Sequence, residues 1–330
     1  MKKYVVLMTM VLCCIFFVGC KANESSVLKN FSKKIEKSKS YHLTGTLEMI
    51  NGENNYLYDV DVSYKDDDLF KVSLKNQVNN HEQVILKNKE GVYVLTPSLN
   101  KSFKFQSEWP YNNSQIYLLQ TLLSDIKNDK NRTFEQTDNG YIFTTVVNYT
   151  SHNDYTKQKI MIDKDYNITE VQVLDDEDNI KMKMTFDDID YKTSLDDSNF
   201  TLDGNVGAID ETHESVNKID DIIYPMYIPE KTSLSSKDVI ETENGERVIL
   251  TFSGDKPFML VQETVNITDE LETTPVYGEP TLLTDTIGAL TESSITWLNN
   301  GIEYYVVSDV LSEQELVSVA KSVTTIPLGK

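Results

Sequence analysis

Between residues 42 and 105 apolar and polar side chains alternate in short stretches, the period-two mark of strands with one face in water. Leu43, Gly45, Leu47 and Met49 alternate with His42, Thr44, Thr46 and Glu48. After Asn51-Gly52, a tight-turn pair, Tyr56, Tyr58, Val60, Val62 and Tyr64 alternate with Leu57, Asp59, Asp61 and Ser63. Phe70-Val72-Leu74, Val84-Leu86 and Val92-Val94 continue the meander. Lys89-Glu90-Gly91 supplies a turn, Pro97 closes a strand, and Phe103 and Phe105 open another.

Helical spacing brackets these strands. Ser25 or Ser26 is placed to cap a helix with Val27, Leu28, Phe31 and Ile35 on one face. Lys29, Lys33, Lys34 and Lys37 form its solvated side. Ser114 is placed to cap a second helix through Ile116, Leu119, Leu122, Leu123 and Ile126. Four further strands are predicted near 141–147, 157–162, 168–174 and 181–186. An antiparallel sheet curved around helices is the natural packing.

From about Asp196 to Asn217 the alternation fails and acids and glycines dominate. A linker is placed at 204–220, between a unit over 20–203 and a smaller one over 221–330. In the latter, Val248–Phe252 and Phe258–Val265 read as paired strands. Asn299-Asn300-Gly301 reads as the turn of a hairpin. Ser312 and Glu315 form a capping box for a final helix, with Leu311 stapled to Leu316.

The start of the chain has a different grammar. Lys2 and Lys3 precede an apolar run from Val5 to Val18, the length of a signal-peptide core and short for a membrane span. It ends Phe17-Val18-Gly19-Cys20, which resembles the bacterial lipobox, with Phe17 where Leu is usual. That resemblance implies removal of residues 1–19 and diacylglycerol on the Cys20 thiol. The chain would then be anchored on the extracytoplasmic face of the cell membrane, with palmitate-type acyl chains as the tether.

Composition narrows the chemistry. All three cysteines lie at or before position 20, so the body has no disulfide, thiolate metal site or cysteine nucleophile. Acids outnumber bases 52 to 31, a net charge of -21, which speaks against a nucleic-acid partner. His42, His81, His152 and His213 share no metal-ligand spacing, so no metal site or cofactor is expected. No nucleophile elbow or phosphate-binding loop occurs, and Ser-x-x-Lys at Ser26, Ser98 and Ser318 lacks its companion motifs. The runs Asp66-Asp67-Asp68 and Asp175-Asp176-Glu177-Asp178 read as solvated turns. A non-enzyme is the expectation.

The lipobox, the first helix and the stretch Lys87–Pro110 (Lys-Asn-Lys-Glu-Gly-Val-Tyr-Val-Leu-Thr-Pro, then Ser-Leu-Asn-Lys-Ser-Phe-Lys-Phe-Gln-Ser-Glu-Trp-Pro) resemble the LolA-like lipoproteins of endospore-forming bacteria. The likeness covers about residues 20–203. Tyr224–Pro229, Thr251–Gly254, Gly288–Thr291, Trp297, Gly301–Tyr304 and the last helix are similar to a domain of unknown function often appended to them. The resemblance implies an α+β chain: a half-open antiparallel β-barrel with covering helices and an apolar concave face, followed by a smaller α+β domain. In LolA the concavity carries acyl chains, while in a germination relative the fold supports a cell-wall amidase. Two functions follow as expectations. One is a membrane-anchored, non-catalytic module for sporulation or germination that binds an extracytoplasmic partner, such as a cell-wall amidase. The other is a carrier or sensor of an acyl chain or another hydrophobic ligand. Trp109 and Tyr111 would stand at the barrel mouth, in reach of a partner, or Trp109 would plug the core. Tyr58, Phe103 and Phe105 would line the concave face, as core or as ligand contacts.

Overall fold

The computed structural model describes residues 23–51, 54–149, 154–205, 218–243 and 245–323. Cys20, His152, His213, Gly52 and Asn244 lie outside the described residues, as does most of the expected linker.

The first helix, α1 (Glu24–Glu36), buries Val27, Phe31 and Ile35, and Asn23 rather than a serine caps it, its Oδ1 accepting from Ser26 N at 2.8 Å. Six antiparallel strands follow: β1 (Ser40–Asn51), β2 (Asn54–Lys65), β3 (Leu69–Asn76), β4 (Glu82–Asn88), β5 (Gly91–Thr96) and β6 (Lys101–Phe105). Helix α2 (Leu119–Asn128) begins five residues after Ser114. The expected serine cap is absent: the Ser114 hydroxyl accepts from Asn148 N at 3.0 Å and donates to Asp125 Oδ2 at 2.9 Å. Strands β7 (Thr133–Gln136), β8 (Gly140–Val146), β9 (Lys157–Asp163), β10 (Ile168–Leu174) and β11 (Ile180–Asp190) complete the first run.

The later residues form β12 (Thr232–Thr242), β13 (Gly245–Gly254), β14 (Phe258–Thr264), β15 (Glu272–Val276), β16 (Glu279–Leu282), β17 (Ile287–Leu290), β18 (Ser294–Asn299), β19 (Ile302–Val307) and helix α3 (Glu313–Ser322). The predicted hairpin joins β18 to β19. Asn300 and Gly301 both have positive φ, 49° and 76°, as a two-residue turn matched to strand twist requires. The predicted capping box is formed: Glu315 N donates to Ser312 Oγ at 3.3 Å and Ser312 N to Glu315 Oε2 at 3.2 Å.

Among the described residues the strands build two sheets. The larger runs β15-β6-β5-β4-β3-β2-β1-β11-β10-β9-β8-β7, and its end strands do not pair, so the sheet is open. The smaller runs β12-β13-β14-β19-β18-β17-β16. A register shift lies at Gly45, where β1 crosses closest to β11: a Cβ there would stand 2.2 Å from Thr185 O, so only glycine fits.

One apolar core fills the concave side of the larger sheet. Val27, Phe31 and Ile35 of α1 and Leu119, Leu122 and Ile126 of α2 pack on Leu43, Leu47, Val62, Phe143, Ile160 and Val171. Ile287, Ala289 and Leu298 of the smaller sheet belong to the same core. A second core lies between the smaller sheet and α3, built on Val248, Leu250, Leu260, Trp297 and Leu316. The convex side is covered by Phe200, which packs with Leu69, Leu86 and Tyr93.

The two sheets are joined by backbone as well as by packing. β15 runs parallel to β6, from Glu272 opposite Lys101 to Val276 opposite Phe105. The side-chain amide of Asn100 donates to the carbonyls of Thr268 and Asp269 at 3.0 and 3.3 Å. Nothing in the polar sequence Glu272-Thr-Thr-Pro-Val276 advertises this strand.

Candidate functional site

Three places have the chemistry to meet another molecule: the concave interior, the Trp109–Tyr111 turn and the acidic loop between β2 and β3.

The interior is closed by the chain itself. Residues between β16 and β17 lie over the opening, and buried polar groups fasten them. The Tyr58 hydroxyl donates to the Thr284 carbonyl, and Ile287 N donates to Gln83 Oε1. Gln83 and Thr284 are both 3% exposed, so these bonds are made away from water, where losing either partner is costly. Nearby, Glu279 accepts from Ser107 Oγ and, at 2.5 Å, from Asn112 Nδ2. A cavity of about 50 Å³ lies between Met49, Ile85, Trp109, Ile116 and Met182 on one side and Pro280, Leu282 and Ile287 on the other, and one of about 110 Å³ lies beside it at Met49, Tyr56, Tyr155 and Thr284. Small-molecule sites run to about 300–1,000 Å³, several times larger.

The turn before α2 puts its aromatics in opposite places. Trp109 N donates to Ser107 Oγ at 2.9 Å, and the Trp109–Pro110 peptide is cis. The Trp109 indole is 1% exposed and meets Phe70 edge-on, centroids 6.0 Å apart. Tyr111, two residues on, is 56% exposed and meets the same Phe70 ring edge-on at 6.1 Å. Its hydroxyl donates to Asp68 Oδ1 at 2.6 Å, and Lys87 Nζ stands 4.8 Å from its ring centroid. Lys87 also pairs with Asp68 Oδ2 at 2.7 Å. Partial burial, then the Asp68 bond and charge, push the Tyr111 hydroxyl well above its ordinary value, so it stays a protonated donor.

Asp66, Asp67 and Asp68 form the rim beside it. Asp67 and Asp68 have positive φ, 74° and 66°, the left-handed conformation that aspartate tolerates better than most residues. With Tyr64, Lys89 and Tyr111 they surround an open, mainly acidic depression.

The expected contact residues therefore separate. Trp109, Phe103 and Phe105 are buried at 1%, 4% and 3% exposure, and Tyr58 at 2%. All four belong to the apolar core. Tyr111 alone of the five reaches the surface. The Asp68–Lys87–Tyr111 cluster was not predicted, because it joins positions brought together by the pairing of β3 with β4.

Other chemistry is sparse. His42 Nε2 lies 2.8 Å from Asp61 Oδ2 on the wet face of the β1–β2 pair. Asp175 sits in the β10–β11 turn, bonded to Asn179 and Lys181. Among the described residues no group of three or more His, Cys, Asp or Glu is placed to hold a metal, and no helix is long and apolar enough to cross a membrane.

No family model matches the chain. Sporulation protein YdcC of Bacillus subtilis (strain 168) is 33% identical over 326 residues, covering 97% of this chain and 96% of that protein. Solved structures superpose only loosely. Pseudomonas aeruginosa MucA/MucB covers 90% of this chain and 98% of its own at 11% identity, TM-score 0.33. A LolA superfamily protein from Nitrosomonas europaea covers 56% and 99% at 12% identity, TM-score 0.33. A chain of the Clostridioides difficile CwlD amidase in complex with the GerS lipoprotein covers 52% and 98% at 14% identity, TM-score 0.24. Identity along nearly the whole of both sequences places the chain: it belongs to the family of sporulation protein YdcC.

Proposed function

We propose that this chain is a non-catalytic docking lipoprotein of sporulation or germination, tethered by Cys20 to the outer face of the cell membrane. It binds an extracytoplasmic protein, with a cell-wall amidase the candidate its sequence resemblance implies. One observation supports docking over carriage above all others: the concave interior is filled by the protein's own side chains. Cavities of about 50 and 110 Å³ hold a few waters and not an acyl chain. Recognition then falls to the outer surface, where Tyr111 offers an aromatic face and the neighbouring aspartates an acidic rim. Tyrosine in such a setting is a frequent anchor of protein interfaces. A tether at Cys20 confines the protein to the membrane surface and raises its effective concentration there.

The test places a photo-reactive amino acid at Tyr111 in sporulating cells, with Val78, 85% exposed and on the β3–β4 turn, as control. An extracytoplasmic protein captured at Tyr111 and not at Val78 is the expected result. Equal capture at both positions, or a stoichiometric lipid in native mass spectra of the purified protein, overturns the proposal. The anchor is tested separately: Cys20→Ala should take up no labelled palmitate and leave the membrane fraction.

A further inference from the structure

Among the described residues, strand β12 leaves a long hydrogen-bonding edge without a neighbour. It ends the smaller sheet, pairing with β13 from Thr232 opposite Gly254 to Thr242 opposite Gly245. Every residue from Ser233 to Glu241 is exposed, including Val239 at 50% and Ile240 at 44%. An edge of this length is a template for another strand unless something covers it. The register is irregular between Leu234 and Ser236, and regular from Ser236 to Thr242.

The charges along that regular part are arranged symmetrically about Val239. Lys237 lies two residues before it and Glu241 two after, so all three point to one face. Suppose two copies of β12 pair antiparallel with Val239 opposite itself. Lys237 of each copy then faces Glu241 of the other, and Ser236 faces Thr242. Moving the axis to Lys237 or to Asp238 would set like charges against each other, whereas the Val239 register pairs opposite ones. A second feature agrees. Within the chain Glu241 stands directly across from Glu246, a like-charge pair that an incoming lysine would offset.

We propose that the protein forms a two-fold dimer through β12, joining two smaller sheets into one across a seven-residue ladder, Ser236 to Thr242. The occupant of the edge is a second copy of this chain, and the contact is isologous. Anchored copies share one membrane surface, which favours the encounter.

The body's lack of cysteine makes the test direct. Val239→Cys in the lipid-anchored full chain puts thiols on the two-fold axis. Directly opposed Cβ atoms there are about 4.5–5.5 Å apart, close to disulfide reach. Mild oxidation of membranes should give a homodimer, while Ser233→Cys, six residues from the axis, should not. Adding Lys237→Glu or Glu241→Lys alone should weaken dimerisation about tenfold or more, since symmetry repeats each change twice. The double swap should restore the crosslink. The two single-reversal proteins should crosslink to each other far more than either does with itself. Failure of Val239→Cys to dimerise, indifference to the single reversals, no rescue by the swap, or an adduct with a different protein would each overturn the proposal. None of these outcomes depends on what docks at Tyr111.

Discussion

Replacing Trp109 by alanine tests whether the filled interior holds the fold together. The indole is 1% exposed and borders the residual 50 Å³ space. Its removal vacates on the order of 140 Å³, and at about 24 cal/mol per Å³ of void that alone costs about 3 kcal/mol. The lost edge-on contact with Phe70 adds about 0.5–1.5 kcal/mol. A destabilisation of about 3–5 kcal/mol is therefore expected, read as a drop in the urea midpoint of the soluble body at unchanged slope. The new void joins the old one, giving apolar-lined space on the scale that admits benzene or xenon. The variant should bind benzene and regain stability with it, whereas the wild-type protein should not respond. A loss below about 1 kcal/mol, or equal stabilisation of both proteins by benzene, would mean that the interior is already loose. That result would refute the physical basis for docking over carriage.

Tyr111→Ala should separate binding from folding: losing the Phe70 contact, the Asp68 bond and the Lys87 cation–π contact at this half-exposed site should cost about 1–3 kcal/mol in chemical unfolding and leave the protein folded, while partner capture falls at least about tenfold in pull-downs. Asp175 is held down to about 2, first by the Asn179 side chain and further by Asn179 N–H and Lys181. Its contribution is complete above the unfolded value near 3.9 and disappears as pH falls through about 2. The stability gap between wild type and Asp175→Asn should close over that window in acid titrations of the urea midpoint. Burial pushes Lys321 down to about 8, with Asp154 acting in the opposite sense. Between about 8 and the ordinary value near 10.4 the unfolded chain binds more protons, so stability rises with pH. Lys321→Met should accordingly be more stable than wild type at pH 7 and lose that advantage by about pH 10.5.

Much of the fold was legible wherever one periodic signal met one burial environment. The β1–β2 alternation, the Asn300-Gly301 turn and the Ser312 capping box are local chemistry, and each was read at its place. Signals failed where a distant partner supplied the reason. Ser114 is a good helix cap by itself, but its hydroxyl accepts from the distant Asn148 N–H and donates to Asp125, and the helix starts at Leu119. β15 has no strand pattern of its own because half its surroundings come from β6, 171 positions away in the Lys101–Glu272 pair. The turn at Trp109 shows the limit for sites. Sequence identified an aromatic pair at the right loop but could not divide it. Which ring turns inward depends on Phe70, and what holds the outward ring depends on Asp68 and Lys87.

The position of the smaller sheet gives these details one physical meaning. An open sheet with an apolar concave face has two ways to keep that face from water: a removable ligand or a fixed part of the chain. Here Ile287, Ala289 and Leu298 enter the shared core, and the Tyr58–Thr284 and Gln83–Ile287 bonds are made where neither partner can turn to solvent. Opening that closure exposes apolar surface and strands buried polar groups together, two costs that add. A carrier must open at every cycle of loading and release, so a closure of this kind suits a scaffold that presents a rigid outer face. Gln83→Ala is the discriminating change. It leaves Ile287 N without its acceptor, and the expected loss is about 1–3 kcal/mol, with hydrogen exchange rising first in β17. Were exchange in β17 already fast in the wild-type protein, the closure would be a lid, and the case for a scaffold would fall with it.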